Sequence, residues 1–200
     1  VTMSFDTNLR TMMGVSPAAA VRAAVANVTG VSDVFVYNNG SDTAINYGET
    51  NYPIPAHSIA ITVAGGDDAE ITSAIHSKLD AGCGLPTAAG EGTLVTRIIA
   101  DTVNYVPPYP QYEIRFVRPA VVTVYIEVDV ANLGTLPSTY VADVQRAVSD
   151  AFTNGFSTTD GTIVVSRARI GGQIVGAEFF APIQALGNIT PLAIRVGFAV

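Results

Sequence analysis

Two apolar spacings alternate along the chain. Val21, Val25 and Val28 recur three or four positions apart, the period of one helix face. Ser16-Pro17 stands before them, a hydroxyl cap followed by a proline whose missing N–H costs nothing at the first helical position. Gly30 follows as a stop, so the pattern predicts a helix over 17–28. Val31 to Tyr37 is β-branched and aromatic and predicts a strand, closed by Asn38-Asn39-Gly40-Ser41-Asp42, residues that tolerate positive φ. Thr43 to Tyr52 reads as a small hairpin. Pro53 and Pro55 then stiffen the approach to a strand at Ser58 to Val63, where Ile59, Ile61 and Val63 share a face.

Gly65-Gly66-Asp67-Asp68 opens a second predicted helix, with acidic side chains where the helix end carries partial positive charge; Ile71, Ile75 and Leu79 form its buried stripe. A glycine-rich loop, Ala81 to Gly92, leads to a strand at Thr93 to Ala100. Tyr105-Val106-Pro107-Pro108-Tyr109-Pro110 is expected to be extended, since each proline biases its predecessor away from helix, and Tyr112 to Val117 reads as a strand.

Beyond it the alternation is clean. Val122, Val124, Ile126, Val128 and Val130 point one way and Thr123, Tyr125, Glu127 and Asp129 the other, as in a strand with one face on a core. Pro137 to Phe152 predicts an amphipathic helix on Val141, Val144, Val148 and Phe152, stopped by Asn154-Gly155. Thr162 to Ala168 reads as strand, Val175 to Leu186 as partly helical despite Pro182, and Thr190 to Phe198 as a last strand. The expectation is an α+β protein of two small α/β-layer domains with mixed sheets, αββαββ and then βαβαβ. Residues 1–118 form an N-terminal α+β domain with the hairpin and a proline-rich arm, and 119–200 a C-terminal α+β domain. Helix, turn and strand recur in both halves, a weak internal repeat.

Composition sharpens this picture. Hydrophobic residues make up 48% of the chain and charged ones 14%, against roughly 25% charged in an average soluble domain. On the roughly 9,000 Å² that a monomer of this mass exposes, that is about one charge per 330 Å², a surface suited to being covered. The net charge of −7, with one lysine (Lys78) and scattered arginines, argues against nucleic acid and against acidic lipid surfaces, both of which need clustered cations. No apolar run reaches the roughly 20 residues of a membrane span, because Arg118, Pro119, Glu127 and Asp129 interrupt the richest one. No basic segment followed by an apolar one opens the chain, so no signal peptide is read there.

Candidate chemistry is thin. His57 and His76 are the two histidines, each followed by serine, and neither spacing matches a nucleophile motif. Cys83, the one cysteine, lies between Gly82 and Gly84; alone it can neither close an internal disulfide nor complete a structural zinc site. A cysteine hydrolase using Cys83 with His57 or His76 is the enzymatic alternative. Asp67, Asp68 and Glu70 do not follow the alternating pattern of a calcium loop and read as helix-capping residues. Gly82, Gly84, Gly90 and Gly92 lack the lysine-serine ending of a phosphate loop, and Gly171, Gly172 and Gly176 read as a bend before a helix. No catalytic residue, metal site, cofactor or small-molecule substrate is expected. The tyrosines and prolines at Tyr105, Pro107, Pro108, Tyr109, Pro110 and Tyr112 are the interaction candidates, since prolines reduce the entropy lost on docking and tyrosines supply contact area.

Several runs resemble one family in the same order. Tyr52-Pro53-Ile54-Pro55-Ala56-His57-Ser58, Ile61-Thr62-Val63-Ala64-Gly65-Gly66-Asp67-Asp68 and the helix with Ala74-Ile75 and Lys78 are similar to the central segment of baseplate J-like proteins of contractile phage tails. Gly82-Cys83-Gly84, Pro107-Pro108-Tyr109-Pro110, Ile114-Arg115-Phe116-Val117-Arg118-Pro119 and Arg169-Ile170-Gly171 continue the likeness, as do Phe179, Phe180, Pro182 and Leu186-Gly187. The resemblance covers about residues 16 to 200. It implies a structural wedge protein in the ring around the tail hub, located in the virion tail baseplate and assembled in the bacterial cytoplasm. Such a protein pairs with another copy of itself and contacts other baseplate wedge and hub proteins. A contractile secretion or toxin-delivery device shares that plan, and a tail-tip binding module is the reading suggested by the tyrosines. Family members carry a further N-terminal segment that this chain lacks or shows only in part.

Overall fold

The computed structural model describes residues 16–47, 51–80, 82–132, 134, 136–159, 161–165 and 167–198. It is α+β with small mixed sheets and divides into two compact units, Val1–Ala120 and Val121–Val200.

In the first unit, α1 (Pro17–Ala26) starts where Ser16 accepts a hydrogen bond from Ala19 N at 3.3 Å, with Pro17 in the first turn. The helix ends two residues sooner than the valine spacing predicts, and Val28 reaches the core from the turn after it. Strand β1 (Val31–Asn39) pairs antiparallel with β4 (Ser58–Gly65), β4 runs parallel to β6 (Gln111–Arg118), and β5 (Thr93–Ala100) closes the sheet antiparallel to β6. Between them β2 (Ile45–Tyr47) and β3 (Tyr52–Ile54) form a hairpin, whose residues 48–50 lie outside the described ones; it reaches past the predicted end at Tyr52, so that Pro53, read as part of the approach to β4, lies opposite Asn46 in the pairing. Helix α2 (Asp68–His76) begins at Asp67, which accepts from Ala69 N at 2.8 Å and Glu70 N at 3.2 Å. Val21 and Val25 of α1 and Ile71 and Ile75 of α2 bury themselves on one face of this sheet. They meet Val34, Ile59, Ile61, Val63, Ile114 and Phe116. At about 1.5–3 kcal/mol for each fully buried aliphatic or aromatic side chain, this contact holds the unit together.

Two predictions are corrected here. None of residues 38–42 takes positive φ; that backbone falls at Asn51 and His57 instead. Asn39 is the last residue of β1 and is 3% exposed. Its Nδ2 donates to the carbonyls of Thr43, Ile54 and Pro55 (2.9, 3.1 and 2.8 Å), and its Oδ1 accepts from Ser41 N and Oγ. The side chain satisfies a turn that the sequence reading assigned to backbone freedom. Second, Gly65 ends β4 rather than opening α2. It has φ +74°, and a Cβ there would lie 2.2 Å from the Gly30 carbonyl oxygen, so the two chains cross where only glycine fits.

In the second unit, β7 (Val124–Val130) pairs antiparallel with β10 (Pro191–Phe198). Helix α3 (Tyr140–Asn154), a 3₁₀ turn (Gly176–Phe179) and α4 (Phe180–Gln184) supply the rest of the core. Val144, Ala151, Phe179, Ile183 and Ile189 are buried. The α3 stripe is shifted from the predicted one, because Val141 is 52% exposed while Ala151 is buried. The predicted strand at Thr162 to Ala168 shortens to β9 (Ile163–Val165), paired with β8 (Phe156–Ser157); Ser166 lies outside the described residues. The element order is therefore βαββαβ rather than βαβαβ, since Phe156–Ser157 forms a short strand that apolar periodicity is too brief to reveal.

Candidate interaction surfaces

The loop between β5 and β6 carries the tyrosine and proline candidates. It is closed at its base by Asp101 N donating to the Pro110 carbonyl at 3.0 Å. The Asp101 carboxylate organises the next turn, accepting from Val103 N at 3.1 Å and Asn104 N at 3.0 Å. Those bonds, led by the Asn104 side chain, hold its pKa below the usual carboxylate range. The chain then bends at Pro107-Pro108, joined by a cis peptide. The prediction of an extended arm is corrected: this is the folded tip of a hairpin, whose shape follows from the Asp101 turn and the ladder that continues to Ala100 and Gln111. Its apolar side chains point outward all the same. Tyr105 is 51% and Val106 82% exposed, and Val103, Tyr109 and Tyr112 are exposed as well. Tyr112 also rests on His76 of α2, ring centres 4.9 Å apart, and partial desolvation, with Tyr105 nearby, raises its pKa.

The second surface was not visible as such in the sequence. Along the second unit a groove of about 480 Å³ opens between β7 and α3. Val124, Ile126, Val128 and Val130 form one wall, and Val141, Val144, Val148 and Phe152 the other. Several of these side chains are only partly buried against the core, so the groove is that core's open side. The alternation in β7 predicted this apolar face; its incomplete cover depends on where α3 sits, which periodicity does not encode. On the opposite face, Arg195 of β10 lies 2.9 Å from Asp129 and 3.2 Å from Glu127, neutralising much of the local acidity.

The candidates for chemistry are dispersed. The His57 ring pairs with exposed Asp42, Nε2 to Oδ1 2.9 Å. Gly84 N donates to His57 O at 2.9 Å, so the backbones of His57 and the Cys83 loop are adjacent. The Cys83 Sγ contacts the Gly84 carbonyl at 3.6 Å. Burial, then the neighbouring Asp80 carboxylate, pushes the thiol up, away from the thiolate that a nucleophile requires. His76 is engaged with Tyr112. Among the described residues no cluster of three or more His, Cys, Asp or Glu side chains is arranged to hold a metal ion, and no helix is long and apolar enough to cross a membrane. Asp67 caps α2 as predicted. The Asp68 carboxylate, read as a capping group as well, instead binds Arg118 and Arg97, a long-range pairing that no local motif announces.

No protein-family model matches the chain, and no curated protein matches it.

Proposed function

We propose that this chain is a non-enzymatic structural component of a contractile tail baseplate, of phage or prophage, built into the wedge ring around the hub. The colinear runs from Tyr52-Pro53-Ile54-Pro55 to Leu186-Gly187 support the assignment to that assembly. The observation that carries the structural role is apolar exposure on both units: the tyrosine-rich tip at 103–112 and the open groove along β7. Large apolar contacts are what a permanent assembly part buries, because obligate interfaces resemble a domain core cut in two. In this reading the hairpin tip docks on a neighbouring wedge or hub protein. The ring forms by repeated contacts, and a change in their angle on host attachment releases contraction.

The test is incorporation. Replacing Tyr105 and Tyr109 together by serine is expected to leave the unfolding temperature of the isolated chain unchanged and to lower the number of intact tail particles at least tenfold. Full particle yield with the doubly substituted chain would remove the tip from the assembly.

A further inference from the structure

The free edge of β7 has a form that selects its own occupant. Among the described residues β7 is bonded to β10 on one side and to no strand on the other. The unpaired edge borders the apolar groove under α3. The chain just before the strand continues the same alternation, yet it is left bare: Val121 is 96% exposed and Val122 is exposed too. An edge whose apolar side chains run unbroken along one face, with no proline between Val121 and Val130 and no strand over it, is a template for another strand, and its two acids, Glu127 and Asp129, are held by Arg195 of β10.

We infer that the β7 edge pairs antiparallel with the β7 edge of a second copy, about a two-fold axis passing midway between the two Ile126 residues. The register follows from the side chains. A shift by one residue would set the apolar face of one strand against the polar face of the other. Centring the axis on Glu127 would place the two Glu127 carboxylates opposite each other, which is destabilising. Centring it on Tyr125 would oppose Asp129 to Val121 and leave the end of β7 against Ala120. With Ile126 at the centre, Val124 faces Val128 of the second copy, Val122 faces its Val130, Glu127 faces its Tyr125 and Asp129 faces its Thr123. Every inner pair is then aliphatic, no acid faces an acid, and Val122 and Thr123 gain ladder partners. The two β7–β10 ribbons become one four-stranded sheet with both α3 helices on one side. The exposed Val141 side chains are left facing the joint, and the contact is isologous, closing at two copies. This deepens the assembly reading above by naming its self-contact, and rests on that reading only for its place in a particle.

The experiment uses the whole chain. Tyr125 is exposed and lies opposite Gly197 in the ladder, so its substitution spares the core. Sedimentation of the wild type should give twice the 20.8 kDa chain mass. Tyr125→Glu, which sets acid against Glu127 twice over, should weaken the dimer at least about fivefold, and Tyr125→Lys should tighten it. In a Cys83→Ala background, chains carrying Tyr125→Cys mixed with chains carrying Glu127→Cys should oxidise to the mixed dimer in preference to either like pair. Directly opposed residues lie about 4.5–5.5 Å apart between α-carbons, within disulfide reach. A monomer at all concentrations overturns the inference, whether the groove is then filled by the β8–β9 hairpin or by a small apolar molecule. So does a dimer indifferent to Tyr125→Glu and Tyr125→Lys that gives no mixed disulfide. A β7-paired dimer found in no tail particle would keep this pairing and remove the baseplate assignment; a monomeric chain located in the particle would do the reverse.

Discussion

Arg118, the last residue of β6, places its guanidinium Nη2 2.6 Å from the carboxylate of Asp68 in the first turn of α2. The same guanidinium donates to the carbonyls of Val63 at 3.1 Å and Gly66 at 2.9 Å, and to that of Gly65. Arginine's planar fork suits this divergent set of acceptors, and lysine's point charge does not. The contact fastens the start of α2 to the ends of β4 and β6. Arg118→Lys is therefore expected to destabilise the first unit by about 1–2 kcal/mol and Arg118→Ala by about 2–3 kcal/mol, read as lowered midpoints in urea unfolding.

The same pair predicts an acid dependence. Hydrogen bonding to Arg118 foremost, with Arg97 adding to it, holds the Asp68 carboxyl below its ordinary value against the opposing effect of burial. A folded-state value below the unfolded one means that Asp68 contributes stability fully above the unfolded pKa, about 3.9, and loses it as pH falls through the folded value. Between pH 5 and pH 2.5 the unfolding midpoint of the wild type should fall more steeply than that of Asp68→Asn. Parallel curves would show that the pair does not couple to folding.

Asn39 should be among the least replaceable polar residues. Asn39→Ala leaves the carbonyls around Ile54 and Pro55 without their donor, at about 2–3 kcal/mol. Asn39→Asp should be at least as costly, since a carboxylate cannot donate and would face three carbonyl oxygens. Urea unfolding of the two variants checks both the size and the order.

How much of this was legible in the sequence depends on the range of each interaction. Apolar spacing located both helices of the first unit, the β5 strand to its end residues and the β7 alternation, because those signals are local. The caps at Ser16 and Asp67 were legible for the same reason. Asn39 was read as a turn former, since its partners at Ile54 and Pro55 are brought to it by the sheet. Arg118 and Asp68 lie fifty positions apart in the chain and meet only once β4 and β6 run side by side. The tyrosines at 105, 109 and 112 stand out as contact candidates by type and spacing, and the structure leaves all three exposed. The groove was not, because exposure of a strand's apolar face depends on how far its helix covers it.

Two glycines separate steric need from mere presence. A Cβ at Gly92 would lie 2.1 Å from the Arg118 carbonyl oxygen, where β5 enters the sheet, whereas one at Gly40 meets nothing within 4 Å. Gly92→Ala should destabilise by more than about 2 kcal/mol through strain at the β5–β6 pairing. Gly40→Ala should be neutral or slightly stabilising by restricting the unfolded chain. Thermal unfolding of the pair, run side by side, compares them.

Cys83 should behave as a quiet thiol. With burial and Asp80 both raising its pKa, iodoacetamide should modify it at neutral pH more slowly than a small free thiol. The rate should climb only at a pH above the ordinary cysteine range of about 8.5. A rate profile with a midpoint near neutrality would reopen the hydrolase alternative.

The claim on which the account turns is that this chain works by being held among neighbours in a tail. Residue-resolved cross-linking of assembled tail particles, combined with location of the chain in their electron-microscopy density, tests it most directly. The account predicts the chain in the ring around the hub, with the 103–112 tip cross-linked to a different protein and β7 cross-linked to β7 of a second copy. A chain missing from the particle, or present with both surfaces facing open solvent, would contradict it.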